Sequence, residues 1–318
     1  MREGCALNHP PLPPERLDGA LKGRLALGTA MLGTAFSSVL NKYALSEGLH
    51  PIWINAYRLG FALAVMVLFS LLRRRAIPVR ISGRAMRLSM LSGAFLAAHF
   101  ACWVYALKLT DALAAAAIWS TYLFMTALGA MLLLKEKIPV PAFFAMALAF
   151  AGVIICNLGW NGTKAAGNLF ALGAAATQAG YFLCGRTVRR DTDTFSYTLV
   201  VYGVAFLLLV TTGLALRLPA AGMTPPAIAA AMGLAVFCTL LGHSLASYAL
   251  KSLSATTVSI GMLMEVVTGP LMVFLLMGEA PGRFTLIGGA LIFAAVAWYF
   301  RIDWRRQAVS QEPPADAL

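Results

Sequence analysis

Runs of about twenty apolar residues recur ten times along this chain, near 25–45, 51–72, 87–107, 111–134, 138–158, 167–186, 196–216, 227–250, 253–277 and 283–301. A helix of about twenty apolar residues spans the hydrocarbon core of a bilayer. Only a helix or a closed barrel satisfies its backbone hydrogen bonds there, and segments this long and continuously apolar fit the helix. Of 318 residues, 60% are hydrophobic and 12% charged, against about 25% charged in a soluble domain. The expected fold is therefore an all-α integral membrane protein with ten transmembrane helices. The first run is followed by nine others of similar length, so it reads as a spanning helix and not as a cleaved signal peptide. Residues 1–22, with "HPPLPPE", and 302–318, with "QEPPADAL", are Pro-rich and are expected to be disordered cytoplasmic tails.

The net charge of +12 is a matter of placement. If the amino end is cytoplasmic, nineteen of the 25 Lys and Arg fall on that side, among them Arg73, Arg74, Arg75, Arg80, Lys135, Lys137 and Lys251. Lys42, Lys108, Lys164, Arg217 and Arg283 fall on the other side, and Arg58 lies within the second run. Short basic loops stay in the cytoplasm, which predicts a multi-pass protein of the inner membrane with both termini cytoplasmic. The expected partners are the lipid bilayer and a small-molecule substrate, with the protein a monomer or homodimer. Nucleic acid is not expected, because the basic residues lack the interleaved aromatics of a stacking platform. Cys102, Cys156, Cys184 and Cys238 lie inside runs and Cys5 in the tail; without CxxC pairs they read as small apolar fillers, and no metal or cofactor is expected.

The chain also repeats itself. At an offset of 143, "YALKLTDALAAAAIWSTYLFMTALGAMLLLKE" (105–136) lies without a gap on "YALKSLSATTVSIGMLMEVVTGPLMVFLLMGE" (248–279), with nine of 32 positions identical. The weight rests on YALK at one end and on Glu136 against Glu279 at the other. This divides the chain into a first repeat at 23–158 and a second at 166–301. Five spans per repeat is an odd number, so the second copy enters from the opposite side and the repeats are inverted. Inverted repeats place a substrate site near midplane in many secondary transporters.

The paired YAL…E blocks, Arg58 after the opening of span two in "PIWINAYRLG" and Glu265 within span nine in "GMLMEVVTGP" resemble the EamA-type ten-helix exporters of the drug/metabolite transporter (DMT) superfamily. The resemblance covers roughly residues 25–300. Family members typically carry Glu-Pro in span nine; here Val266 follows Glu265 and the nearest proline is Pro270. The resemblance implies a permease that exports small metabolites such as amino acids, or drugs, from a central cavity.

Glu265 lies about midway along its run, where a charge costs about 2.5–3.5 kcal/mol on insertion scales. Such a residue is a candidate for binding substrate or a proton; a purely structural Glu is the competing reading. The repeat sets it against Tyr122, so symmetry relates a carboxylate to a phenol. Arg58, roughly 10 Å deep at 1.5 Å per residue, has Glu265 as its natural partner, although snorkelling or a structural pair would also account for it. His99, Cys102, Trp103 and Ala106 share one face of span three. Trp119 with Tyr122, and Gln178 with Tyr181, are pairs three residues apart. Glu265, Tyr122, Trp119, Gln178, His99, Trp103, Tyr181 and Arg58 are the candidate substrate-binding residues, with interface anchoring and helix bonding as alternatives. His243 reads as nearer the cytoplasmic end of span eight, and Glu136 and Glu279 as structural. Gly269 and Pro270 form a candidate hinge.

Catalysis and primary pumping are disfavoured. The four His are dispersed, and HExxH, GxSxG and GxxxxGK[ST] are all absent. The expected function is a secondary transporter exporting small amphiphilic metabolites by alternating access. A flippase or exporter for a lipid-linked or nucleotide-linked sugar is the first alternative and a non-transporting receptor or scaffold the second.

Overall fold

The computed structural model describes residues 14–72, 81, 83–110, 112–156, 158, 165–219, 222–278, 280 and 282–309. Cys5, Arg73, Arg74, Arg75, Arg80, Lys164 and Glu279 lie outside the described residues, as do 1–13 and 310–318 of the two tails. Every regular element among the described residues is helical: α1 (Pro14–Thr34), α2 (Ser37–Ser46), α3 (Pro51–Leu72), α4 (Gly83–Leu109), α5 (Ala112–Trp119), α6 (Tyr122–Leu134), α7 (Val140–Cys156), α8 (Ala165–Arg189), α9 (Thr194–Ala215), α10 (Pro225–Gly233), a π-helical segment (Leu234–His243), α11 (Ser244–Ala249), α12 (Ala255–Met262), α13 (Glu265–Met277) and α14 (Arg283–Val309).

Among the described residues, seven stretches are long and apolar enough to cross a membrane: α3, α4, Ala115–Leu134, α9, Pro225–Ala249, Ala255–Met277 and Arg283–Arg305. Helix α7 is apolar but shorter, at 17 residues. The first and sixth apolar runs fall short for different reasons. The first is broken after Thr34 and carries Arg16, Lys22 and Arg24 in its opening turns; α8 is interrupted by Asn168, Thr177, Gln178 and Arg186. Both tails are also shorter than the sequence implies. Helix α1 begins at Pro14 and α14 continues to Val309, and the two are tied by Arg24, which lies 3.5 Å from Asp303 and over the Trp304 ring.

Local chemistry sets the helix ends. Asp193, Thr224 and Ser254 are side-chain N-caps of α9, α10 and α12, accepting from the backbone N–H groups of Ser196, Ala227 and Thr257. Lys135 and Gly278 close α6 and α13 in the left-handed region, at φ 53° and 72°. Small residues let the rods pack closely. A Cβ on Gly152 would meet the Gly288 carbonyl at 2.7 Å, which locks α7 to α14, and one on Gly33 would meet the Phe237 carbonyl at 2.6 Å, which sets α1 against the π segment. Leu72, Leu133, Leu214, Leu276 and Phe293 point outward and are exposed, an arrangement that suits lipid.

The repeat seen in the sequence is a repeat of helix ends. Pro51–Leu72 recurs as Thr194–Ala215, Ala112–Trp119 as Ala255–Met262 and Tyr122–Leu134 as Glu265–Met277, each 143 positions later. The left-handed caps Lys135 and Gly278, and the starts of α7 and α14, differ by the same 143. Contacts between the halves occur in exchanged pairs: α4 packs on α8 as α1 packs on the π segment and α11, and α4 packs on α9 as α3 packs on α10 and the π segment. Helix α3 packs on its own counterpart α9, and α7 on its own counterpart α14. This is the contact pattern of a pseudo-two-fold axis.

Candidate functional site

Four interruptions converge in the middle of the bundle. The first lies between α1 and α2 at Ala35–Phe36, the second between α5 and α6 at Ser120–Thr121, the third is the π segment, and the fourth lies between α12 and α13 at Leu263–Met264. The second and the fourth show a local cause. Ser120 and Thr121 turn their hydroxyls back onto the Ala117 and Ile118 carbonyls, at 2.6 and 2.7 Å, which competes with the helical ladder. At the fourth, Met264 and Val266 donate to carbonyls only three residues back, Gly261 and Leu263, both at 3.0 Å, tightening the turn. Helix α13 itself runs unbroken through Gly269 and Pro270, so the discontinuity precedes Glu265 instead of following it. Gly269 serves a close approach: an added Cβ would meet Ser38 Oγ of α2 at 3.0 Å.

The interruptions surround a cavity of about 20 Å³, lined by Thr34, Ser37, Arg58, His99, Phe100, Trp103, Trp119, Gln178, Cys238, His243, Met262 and Glu265. That volume holds about one water. Six of the eight sequence candidates line it: Glu265, Arg58, His99, Trp103, Trp119 and Gln178. Tyr122 and Tyr181 sit beside it, fully buried, with their hydroxyls engaged. Tyr122 donates to the Ser259 carbonyl at 2.6 Å and Tyr181 pairs with Ser247 at 2.8 Å.

One wall is aromatic. Trp119 lies 4.7 Å from Tyr122, 5.2 Å from Trp103 and 6.3 Å from His99, ring centre to centre. His99 faces the Ala174 carbonyl through Nδ1 at 3.0 Å. A carbonyl only accepts, so Nδ1 carries the proton and, in the neutral ring, Nε2 is the acceptor. The cavity is also lined by charged side chains. Arg58 donates from Nε to Thr239 Oγ1 at 2.6 Å and lies 4.0 Å over the Phe100 ring, a cation–π seat. The Glu265 carboxyl has the Ser37 side chain as its polar neighbour, and Asn41 donates to the Ser37 carbonyl at 2.9 Å. Among the described residues no ion pair joins Arg58 to Glu265: the sequence makes them natural partners, and the fold sets both on the cavity with other neighbours.

Trp119 Nε1, Gln178 Oε1 and His243 Nδ1 are buried without hydrogen-bond partners in the protein. The cavity therefore offers an indole donor and an amide acceptor besides its two opposite charges. Among the described residues no cluster of His, Cys, Asp and Glu is placed to hold a metal ion.

Sequence reasoning missed Ser37, Phe100, Thr239 and Met262, and placed His243 outside the site. The π segment explains His243: its wider turns bring His243 within 5.1 Å of Phe100 and 6.4 Å of His99, ring centre to centre. The polar run at Ser37, Ser38 and Asn41 was the available signal for the first break.

The model of the EamA-like transporter family matches residues 21–158 and matches again at 165–301. The chain belongs to the EamA-like transporter family. A crystal structure of another protein shares the fold, with a TM-score of 0.73 over 91% of this chain and 98% of its own, at 18% identity. No curated protein matches the sequence. This EamA-family chain is thus a multi-pass membrane transporter of the DMT superfamily, built from two EamA repeats.

Proposed function

We propose that this EamA-family protein exports a small amphiphilic metabolite, an amino acid or a related zwitterion, by alternating access. The observation that carries the reading is the cavity itself, where Arg58 and Glu265 face one enclosed space from different helices without pairing, beside an aromatic wall. Opposite charges held apart leave one partner for a carboxylate and one for an ammonium, and Trp119 and Trp103 supply apolar area. A nucleotide-linked sugar calls for several cationic contacts, and Arg58 is the one Lys or Arg among the lining residues.

The ten rods form two inverted five-helix repeats in this reading, lying in the inner membrane with both termini cytoplasmic, and the halves rock about the midplane site. The occluded volume fits a state between the two openings. Glu265 is the group that exchanges a proton against substrate.

The experiment is uptake of an amino-acid panel into proteoliposomes, with and without an imposed pH gradient, for wild type and Glu265→Gln. Wild type accumulates at least one zwitterionic solute. Glu265→Gln loses gradient-driven accumulation by more than about tenfold, the equivalent of about 1.4 kcal/mol, while keeping exchange of substrate for substrate. Equal accumulation by both proteins would remove the carboxylate from the mechanism.

A further inference from the structure

The two halves share most of their helix ends, and the places where they differ most lie at the cavity. The first rod breaks at Ala35–Phe36, but α8 runs straight through the matching positions, Gln178 and Ala179. The eighth rod is π-helical over Leu234–His243, but α4 is regular α-helix over the matching Leu91–Phe100. A pair of inverted repeats reaches its second state when the halves trade conformations about the pseudo-two-fold axis. Local structure that differs between equivalent positions is then what the halves trade.

We propose that these two mismatches are the moving parts of the transport cycle. In the conformation reached when the halves trade places, α8 breaks at Gln178–Ala179 while α1 and α2 join, and the π turn of the eighth rod rewinds. The proposal rests on the alternating-access reading above.

In the first mismatch both partners carry a back-bonding threonine. Thr34 and Thr177 are the same residue at the same repeat position. Thr177 Oγ1 bonds back to the Gly173 carbonyl at 2.7 Å and the Ala174 carbonyl at 3.2 Å, a contact that bends helices. Thr34 Oγ1 makes the matching bond to the Met31 carbonyl at 3.3 Å, one residue before its break. Helix α8 continues past Thr177 as Gln178-Ala179-Gly180, with glycine, a poor helix former, at the point matched by Ser37. The π turn is held by bonds that reach five residues back: Thr239 Oγ1 donates to the Leu234 carbonyl and Ser244 Oγ to the Thr239 carbonyl, both at 3.2 Å. Thr239 Oγ1 also accepts from Arg58 at 2.6 Å. One hydroxyl thus ties the π turn to the cavity's cation, and rewinding the turn frees Arg58 for its other state.

The test is hydrogen–deuterium exchange by mass spectrometry on the full chain in lipid nanodiscs without added solute, comparing wild type with Thr239→Val. Valine keeps the shape and removes both bonds of the hydroxyl. Amides at 176–182 should exchange about tenfold faster, the scale of one lost charge-assisted hydrogen bond, and those at 35–40 more slowly. Changes of the same sign in both segments, or in neither, overturn the proposal. If Thr239→Val does not fold, Thr177→Val takes its place, with slower exchange at 176–182 and faster exchange at 35–40; the absence of opposed changes is again the overturning result. Because exchange is read without substrate, a negative transport experiment with Glu265→Gln leaves this outcome to stand or fall by itself.

Discussion

Tyr122 and Glu265 occupy one position of the two repeats, each the first residue after a helix break, yet they do different work. Glu265 faces the cavity, whereas Tyr122 spends its hydroxyl on the Ser259 carbonyl of the other half. Tyr122→Phe should therefore lower stability by about 1 kcal/mol, the net worth of one buried hydrogen bond, read as a lower thermal midpoint in detergent, without weakening substrate binding in the liposome assay. Arg58, Glu265, Trp103 and Trp119 were legible as cavity candidates in the sequence, because a charge or an indole within an apolar run stands out at once, whereas Phe100 and His243 were not. The smaller members were not. Ser37 and Thr239 are common in membrane helices, and only the breaks of α1–α2 and the π turn aim them inward. Tyr122 and Tyr181 sit beside the space: their spacing put them on the right faces, and their hydroxyls bond neighbouring helices.

At the scale of elements, the ten apolar runs fixed where helices lie, but not where they break. Hydropathy averages over about nineteen residues, and a two-residue interruption such as Leu263–Met264 does not register in it. The candidate hinge Gly269–Pro270 lies within α13, where Gly269 also permits a close helix contact, and the helix interruption lies six residues earlier. Helices α7 and α14 meet at glycines. A Cβ on Gly288 would press on the Gly152 carbonyl and on Cys156 Sγ. Gly288→Val should destabilise the protein by about 1–3 kcal/mol, the range for overpacking a full interior, where Gly289→Ala, with Val267 at 3.7 Å, should be nearly neutral; guanidinium or thermal unfolding in detergent separates the two.

For the whole molecule, charge predicts orientation. In a chain with its native cysteines replaced, a single cysteine at Lys251 should react with an impermeant maleimide only in inside-out vesicles, and one at Arg217 only in right-side-out vesicles. Identical labelling from both sides would refute the assigned topology. The internal repeat was the most informative signal in the sequence, and it was legible over 105–136 and 248–279 alone; elsewhere the residues have diverged too far to align by eye, and the helix ends show the match. Apart from the ends of α4 and its counterpart rod, those ends keep a spacing of 143 from Pro51 and Thr194 to Val140 and Arg283. Neither half, then, carries a net insertion or deletion relative to the other across this stretch, connecting loops included. Descent from a duplicated ancestor explains this most simply, with substitution tolerated nearly everywhere and changes in length rejected. In a packed bundle, one extra residue would turn every following side chain by about 100° about its helix, and the two halves have kept the same count.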